Sequence, residues 1–215
     1  MIPHSVLLFT LMTAATRAEV IDRVAVTLDN QVITASELEL EIRVTAFLNG
    51  DTLDFSPEAG RKAAGRLIEQ KLIRKEMQVG RYAVPSSEEA DPMLKGIQAQ
   101  RFHAPEEYHQ ALAKYGISED ELRAHLLWQF SLLRFIEIRF RPGVQVSDAQ
   151  IQAYFDTNRT KLEKEAGASK KSTLDDLRSR IRETLTEQGA DKQLDEWLAE
   201  SRKRARIVFH EEAFQ

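Results

Sequence analysis

Between Leu122 and Phe140 the chain reads LRAHLLWQFSLLRFIEIRF, a stretch without Gly or Pro in which apolar residues recur at helical spacing. A surface helix needs apolar residues only at i, i+3, i+4 and i+7, a stripe a little over ~100° wide. Leu122, Leu126, Leu133, Ile136 and Phe140 supply that stripe and are expected to form a core seam. Leu127, Trp128, Phe130, Leu132, Phe135 and Ile138 fall outside it. Such a helix is either enclosed on most sides or presents a second apolar face to a partner. Ser118 with Glu121 three residues later is a capping-box start, and Arg141-Pro142-Gly143 is a stop.

The same reading extends along the chain. Val24, Val26 and Leu28 alternate with polar residues, Asp29-Asn30 is a turn, and Val32-Ile33 follow, which predicts a β-hairpin. Thr34 or Ser36 is the N-cap of a helix that runs to Asn49-Gly50, Glu37 standing at capping-box spacing from Thr34. Pro57 opens a second helix carrying Ala64, Leu67, Ile68, Leu72, Ile73 and Met77 and ending near Gly80. A third starts within Ser86 to Pro92 and carries Met93, Leu94, Ile97 and Phe102, and a fourth starts at Pro105 with Tyr108, Leu112 and Tyr115. After the long apolar helix, Ser147-Asp148 caps a shorter one with Ile151, Tyr154 and Phe155. Residues 159–173 are polar and charged apart from Leu162 and read as a solvated linker or frayed helix end. Helical spacing returns at Leu174, Leu177, Ile181 and Leu185, pauses at Gly189, and resumes at Leu194, Trp197 and Leu198. Arg206 to His210 is a last short β run. A lone strand must pair, and the only other β material is the first hairpin. The predicted fold is therefore mainly α, with a small antiparallel sheet made from an N-terminal hairpin and the C-terminal strand.

Composition narrows the function classes. A length of 215 residues and a net charge of -4 describe an ordinary globular chain, without the basic surplus of a nonspecific nucleic-acid binder. There is no cysteine, which removes disulfides, thiol catalysis and thiolate metal sites. Ser5 to Ala15 is an apolar run too short to span a bilayer of ~30 Å. Thr16-Arg17-Ala18 after it places small residues where a secretory cleavage site needs them, so residues 1–18 are read as a signal peptide cut after Ala18. An uncleaved anchor is the alternative, because the segment before the run has only His4 and the amino terminus as positive groups.

Candidate chemistry is sparse. The five histidines show no metal-ligand spacing, and His125, inside the apolar helix, reads as a packed or pH-sensitive residue. Glycines stand singly at element ends rather than in a phosphate loop, Ser86, Ser87 and Ser118 are caps, and acidic pairs such as Glu88-Glu89 are adjacent surface residues. No catalytic residue, metal site or cofactor site is assigned.

Several stretches, in order, resemble the SurA-type periplasmic chaperones. VIDRVAVTLDNQVITASELE is similar to that family's N-terminal hairpin and first helix, and RLIEQKLIRKEMQVGRYAVPSSEE to its next helix and restart. YGISEDELRAHLLWQFSLLRFIEIRF with VQVSDAQIQAYF resembles its long central helix and the element before its isomerase domain, and LDEWLAESRKRARIVF its last helix and strand. Relatives carry one or two parvulin prolyl isomerase domains of roughly 90 to 100 residues at this point, where this chain has only residues 159–173. The resemblance thus implies a SurA-N-like chaperone domain built from residues 19–158 with 174–215, residues 159–173 replacing the isomerase domain as a linker. It also implies an ATP-independent holdase in the periplasm, binding unfolded outer-membrane β-barrel precursors and lacking isomerase activity. The alternatives are a reduced prolyl isomerase and an assembly protein that uses the same apolar surface to form a homodimer.

The residues chosen for a peptide-binding groove are Met93, Ile97, Phe102 and Tyr108, whose helices have sparse apolar faces, and Trp128, Leu132 and Phe135, which share one side of the central helix at i, i+4 and i+7. Ordinary core packing is the competing account of all seven.

Overall fold

The computed structural model describes residues 22–165 and 173–215. The signal peptide read at residues 1–18, and residues 166–172 of the linker, lie outside the described residues. Strands β1 (Val24–Leu28) and β2 (Gln31–Thr34) form the expected hairpin, and β3 (Ile207–Phe209) pairs antiparallel with the other edge of β1, giving the order β2-β1-β3. Val26 sits opposite Ile33 on one side and Phe209 on the other. The chain's two ends therefore meet in one sheet, as the strand argument required.

Asp29 locks this junction. It occupies the left-handed region at φ 52, which a short polar residue tolerates. Its N–H donates to the Arg206 carbonyl at 2.9 Å, its Oδ1 accepts from the Arg206 N–H at 2.9 Å, and Lys75 Nζ donates to Oδ2 at 3.0 Å. The backbone hydrogen bond from Arg206, with Lys75 second, holds the carboxyl below its ordinary pKa.

Seven helices follow the hairpin among the described residues: α1 (Ala35–Asn49), α2 (Pro57–Val79), α3 (Asp91–Arg101), α4 (Pro105–Tyr115), α5 (Glu119–Arg139), α6 (Asp148–Glu165) and α7 (Leu174–Arg204). Thr34 and Ser118 make the capping boxes predicted for α1 and α5, and Thr173 with Asp176 makes another for α7. None of the described helices is long and apolar enough to cross a membrane.

Packing divides into four neighbouring clusters. The inner face of the sheet, through Val26, Leu28 and Ile33, lies on Ala63, Ala64 and Ile68 of α2, and Phe214 of the C-terminal turn closes the cluster. Phe214 packs over Gly60, with the Arg61 guanidinium on its ring at 5.2 Å. A second cluster joins α1, α3, α4 and the first half of α5 around Phe47, Leu94, Leu122 and Leu126. A third joins α2, the second half of α5 and the C-terminal half of α7 around Ile73, Phe135, Phe140 and Leu198. The fourth lies between α6 and the start of α7, through Ile151, Phe155, Leu162 and Ile181.

Four expectations are corrected. Leu133 is 59% exposed rather than part of the core seam. Buried positions on α5 run Leu122, Leu126, Ser131, Phe135, because the helix's partners change side along its length. Residues 159–165 are not linker but the last turns of α6, and Leu162 is a core residue of the fourth cluster. The helix from Asp148 is consequently 18 residues long rather than short. Finally, α7 does not pause at Gly189. A Cβ there would meet Val144 Cγ1 at 2.5 Å, so the glycine is the hollow into which Val144 packs.

Replacing a helical glycine by alanine ordinarily gains about 1 kcal/mol. Gly189→Ala is expected instead to lower stability by roughly 1–2 kcal/mol through overpacking, with Val144→Ala restoring part of the loss in the double variant. Urea unfolding of the four members of this cycle measures the coupling, and a Gly189→Ala protein as stable as the parent would contradict the packing.

Candidate functional site

A recess lies where α1, α2, α5 and α7 fail to close on one another. Its volume is about 400 Å³, within the range of ligand pockets. Ile73 of α2, Trp128 and Leu132 of α5, and Leu194 and Leu198 of α7 give it apolar walls. Asn49, Gln70 and Gln129 also line it, and each amide offers both donors and an acceptor.

A polar cluster sits at one end. Glu41 is nearly buried and accepts from Arg66 Nε at 2.6 Å and from Thr45 Oγ1 at 3.3 Å. His125 Nδ1 lies 3.7 Å from the other Glu41 oxygen, and the Gln129 amide donates to His125 Nε2 at 3.1 Å. With Nε2 accepting, the ring carries its proton on Nδ1, facing the carboxylate. Burial pulls the His125 pKa below its ordinary value; Glu41 opposes that shift and Arg66 adds to it. The groups come from three helices far apart in sequence, and nothing in their local spacing announces the cluster. Only His125 was singled out from sequence.

The seven residues chosen from sequence do not form one surface. Trp128 and Leu132 line this cleft, partly buried. Phe135 is 1% exposed, packed between Tyr82, Phe140 and Trp197, and is core rather than groove. Tyr108, 2% exposed, is likewise corrected to core, its ring against Phe47 and Phe102. Phe102 and the edge of Tyr108 together border a separate recess of about 360 Å³ with His103 and His109. Met93 and Ile97 are partly buried against the second cluster and lie away from the cleft. Trp128, Leu132 and Phe135 do share one side of α5 and all pack in the third cluster, but Phe135 is buried in it whereas Trp128 and Leu132 are partly buried and line the cleft.

Among the described residues no group of three or more His, Asp or Glu side chains is arranged to hold a metal ion. The one hydroxyl that lines the cleft, Thr45, donates to Glu41. What the arrangement can do is enclose apolar side chains and hydrogen-bond to peptide units. No protein-family model matches the chain, and comparison with curated proteins finds no significant match.

The cluster predicts a pH dependence. A histidine whose folded pKa lies below its unfolded value of about 6.5 contributes stability that is fully present above that pH and lost as pH falls toward the folded pKa. The parent is therefore expected to lose more stability between pH 7.5 and 5 than His125→Gln. Urea midpoints at the two pH values test this, and equal losses would contradict it.

Proposed function

We propose that the protein is an ATP-independent periplasmic holdase of the SurA type, reduced to its chaperone domain, that keeps unfolded outer-membrane β-barrel precursors from aggregating. The observation that carries the reading is the four-helix cleft, with Trp128 and Leu132 on its apolar walls and three amide side chains beside them. Holding many unfolded sequences requires apolar contact that tolerates different side chains, and polar contact that reads only the main chain. An aromatic ring and leucines supply the first. Asn49, Gln70 and Gln129 supply the second, since an amide pairs with a peptide unit whatever residue that unit belongs to. Further apolar surface on the body, at Leu133, Ile138, Val79 and Val84, gives a long client additional places to rest. The ordered stretches that resemble the periplasmic chaperones, and the apolar run before Ala18, support the location and the client class.

The test compares the cleft with the core. Trp128→Ser with Leu132→Ser is expected to abolish suppression of aggregation of an unfolded β-barrel protein while the domain stays folded. Phe135→Ser is expected to lower stability by about 3–5 kcal/mol, as for other buried aromatic truncations. If the parent at several-fold excess does not delay light scattering by the barrel protein, or if the double variant holds it as well as the parent, the reading is wrong.

A further inference from the structure

Trp128 also lines a second recess, of about 350 Å³, with Met77, Tyr82, Val84, Arg74 and Arg81. No carboxylate lines it. Neither arginine makes an ion pair or a side-chain hydrogen bond among the described residues, although most arginines of this chain are paired with acids. Arg74 is held only by its stack on the Trp128 ring, 4.6 Å from the centroid, and desolvation there draws its pKa down with no acid to oppose the shift. A guanidinium stacked on a ring has one face covered, while its N–H edge stays free in the plane for a bidentate oxyanion.

Arg81, whose side chain is exposed, is set at the rim of the recess by its backbone turn. It follows Gly80 at the end of α2 and has φ 54, the left-handed region that side-chain-bearing residues seldom adopt. The Tyr82 N–H donates to the Met77 carbonyl at 3.0 Å, and the Tyr82 ring crosses Gly80 so closely that a Cβ there would lie 2.4 Å from it. Tyr82 in turn stacks edge-on against Phe135 of the core. The turn is thus pinned, and glycine would fit position 81 with less strain than arginine does.

From the two unpaired guanidinium groups over apolar walls we infer that this recess binds a carboxylate carried by an apolar body. The carboxylate pairs with Arg74 and Arg81, and the apolar body lies against Met77, Val84 and Trp128. The planar N–H edge of Arg74 matches the two coplanar oxygens of a carboxylate. The inference does not depend on the holdase reading, since it concerns the second recess.

Calorimetric titration of the mature chain with 3-phenylpropanoate and with N-acetylphenylalanine, each beside its neutral amide, tests it. Both acids are expected to bind, the amides at least about tenfold more weakly, the difference one charge-assisted bidentate pair makes. The tighter acid shows whether the site favours a free acid or a chain end. Arg74→Gln should weaken the acids by about tenfold or more and leave the amides unchanged, with Arg74→Lys in between. Arg81→Gly should weaken the acids without lowering the urea midpoint, because the backbone strain is relieved, so loss of binding there is not loss of fold. The inference is overturned if acid and amide bind alike, if neither acid binds at millimolar concentration, if Arg74→Gln leaves the acids unaffected, or if phenyl phosphate binds more tightly than the carboxylates.

Discussion

Helix α5 has partners on nearly opposite sides at its two ends, and the rest of the molecule is arranged around that constraint. From Leu122 to Phe135 a helix advances by thirteen steps of about 100°, which leaves the two side chains far from alignment. Leu122 and Leu126 meet α1, α3 and α4, whereas Phe135 and the following Phe140 meet α2 and α7. Trp128 and Leu132, on the Phe135 side of the helix, pack at the edge of the third cluster and face the cleft. The cleft is what four helices leave open where one core hands over to the next.

The other frame of the fold is the junction of the chain ends. Because β3 completes the sheet begun by β1, α7 must return across α2 to reach it, and this return places Leu194 and Leu198 opposite Trp128. Arg202 fastens the crossing by donating to the Gly65 carbonyl at 2.8 Å and to Glu69 at 2.9 Å. Asp29 fastens the sheet end of the same path through Arg206 and Lys75. The cleft walls are thus held partly by contacts outside the cleft, and partly by Ile73 and Leu198 of its own lining, which belong to the third core cluster.

What could be read from sequence divides along the range of the interaction. Hairpin, caps and helix starts were legible because each is decided within a few residues: Asp29-Asn30, Thr34 with Glu37, Ser118 with Glu121, Pro57 and Pro105. The terminal strand was legible by exclusion, since it had one possible partner. Periodicity identified α5 as a helix but not which of its faces is covered where, since that depends on the path of α2 and α7. Gly189 carries the ordinary signature of a break and is instead a packing hollow for Val144. Leu162, alone in a charged stretch, looked like a stray apolar residue until α7 was laid beside it. The Glu41, Arg66 and His125 cluster and the stacked, unpaired Arg74 had no local signal, because long-range packing creates both.

In the proposed function α5 presents a working surface at Trp128 and Leu132 while Phe135 and Phe140 remain core. Amide hydrogen exchange of the protein, with and without an unfolded outer-membrane β-barrel protein, measures this directly. The account predicts that client binding slows exchange in the segments of α1, α2, α5 and α7 that face the cleft and leaves the α5 turn around Phe135 to Arg139 unchanged. Protection confined to other helices, or no change with client present, would contradict it.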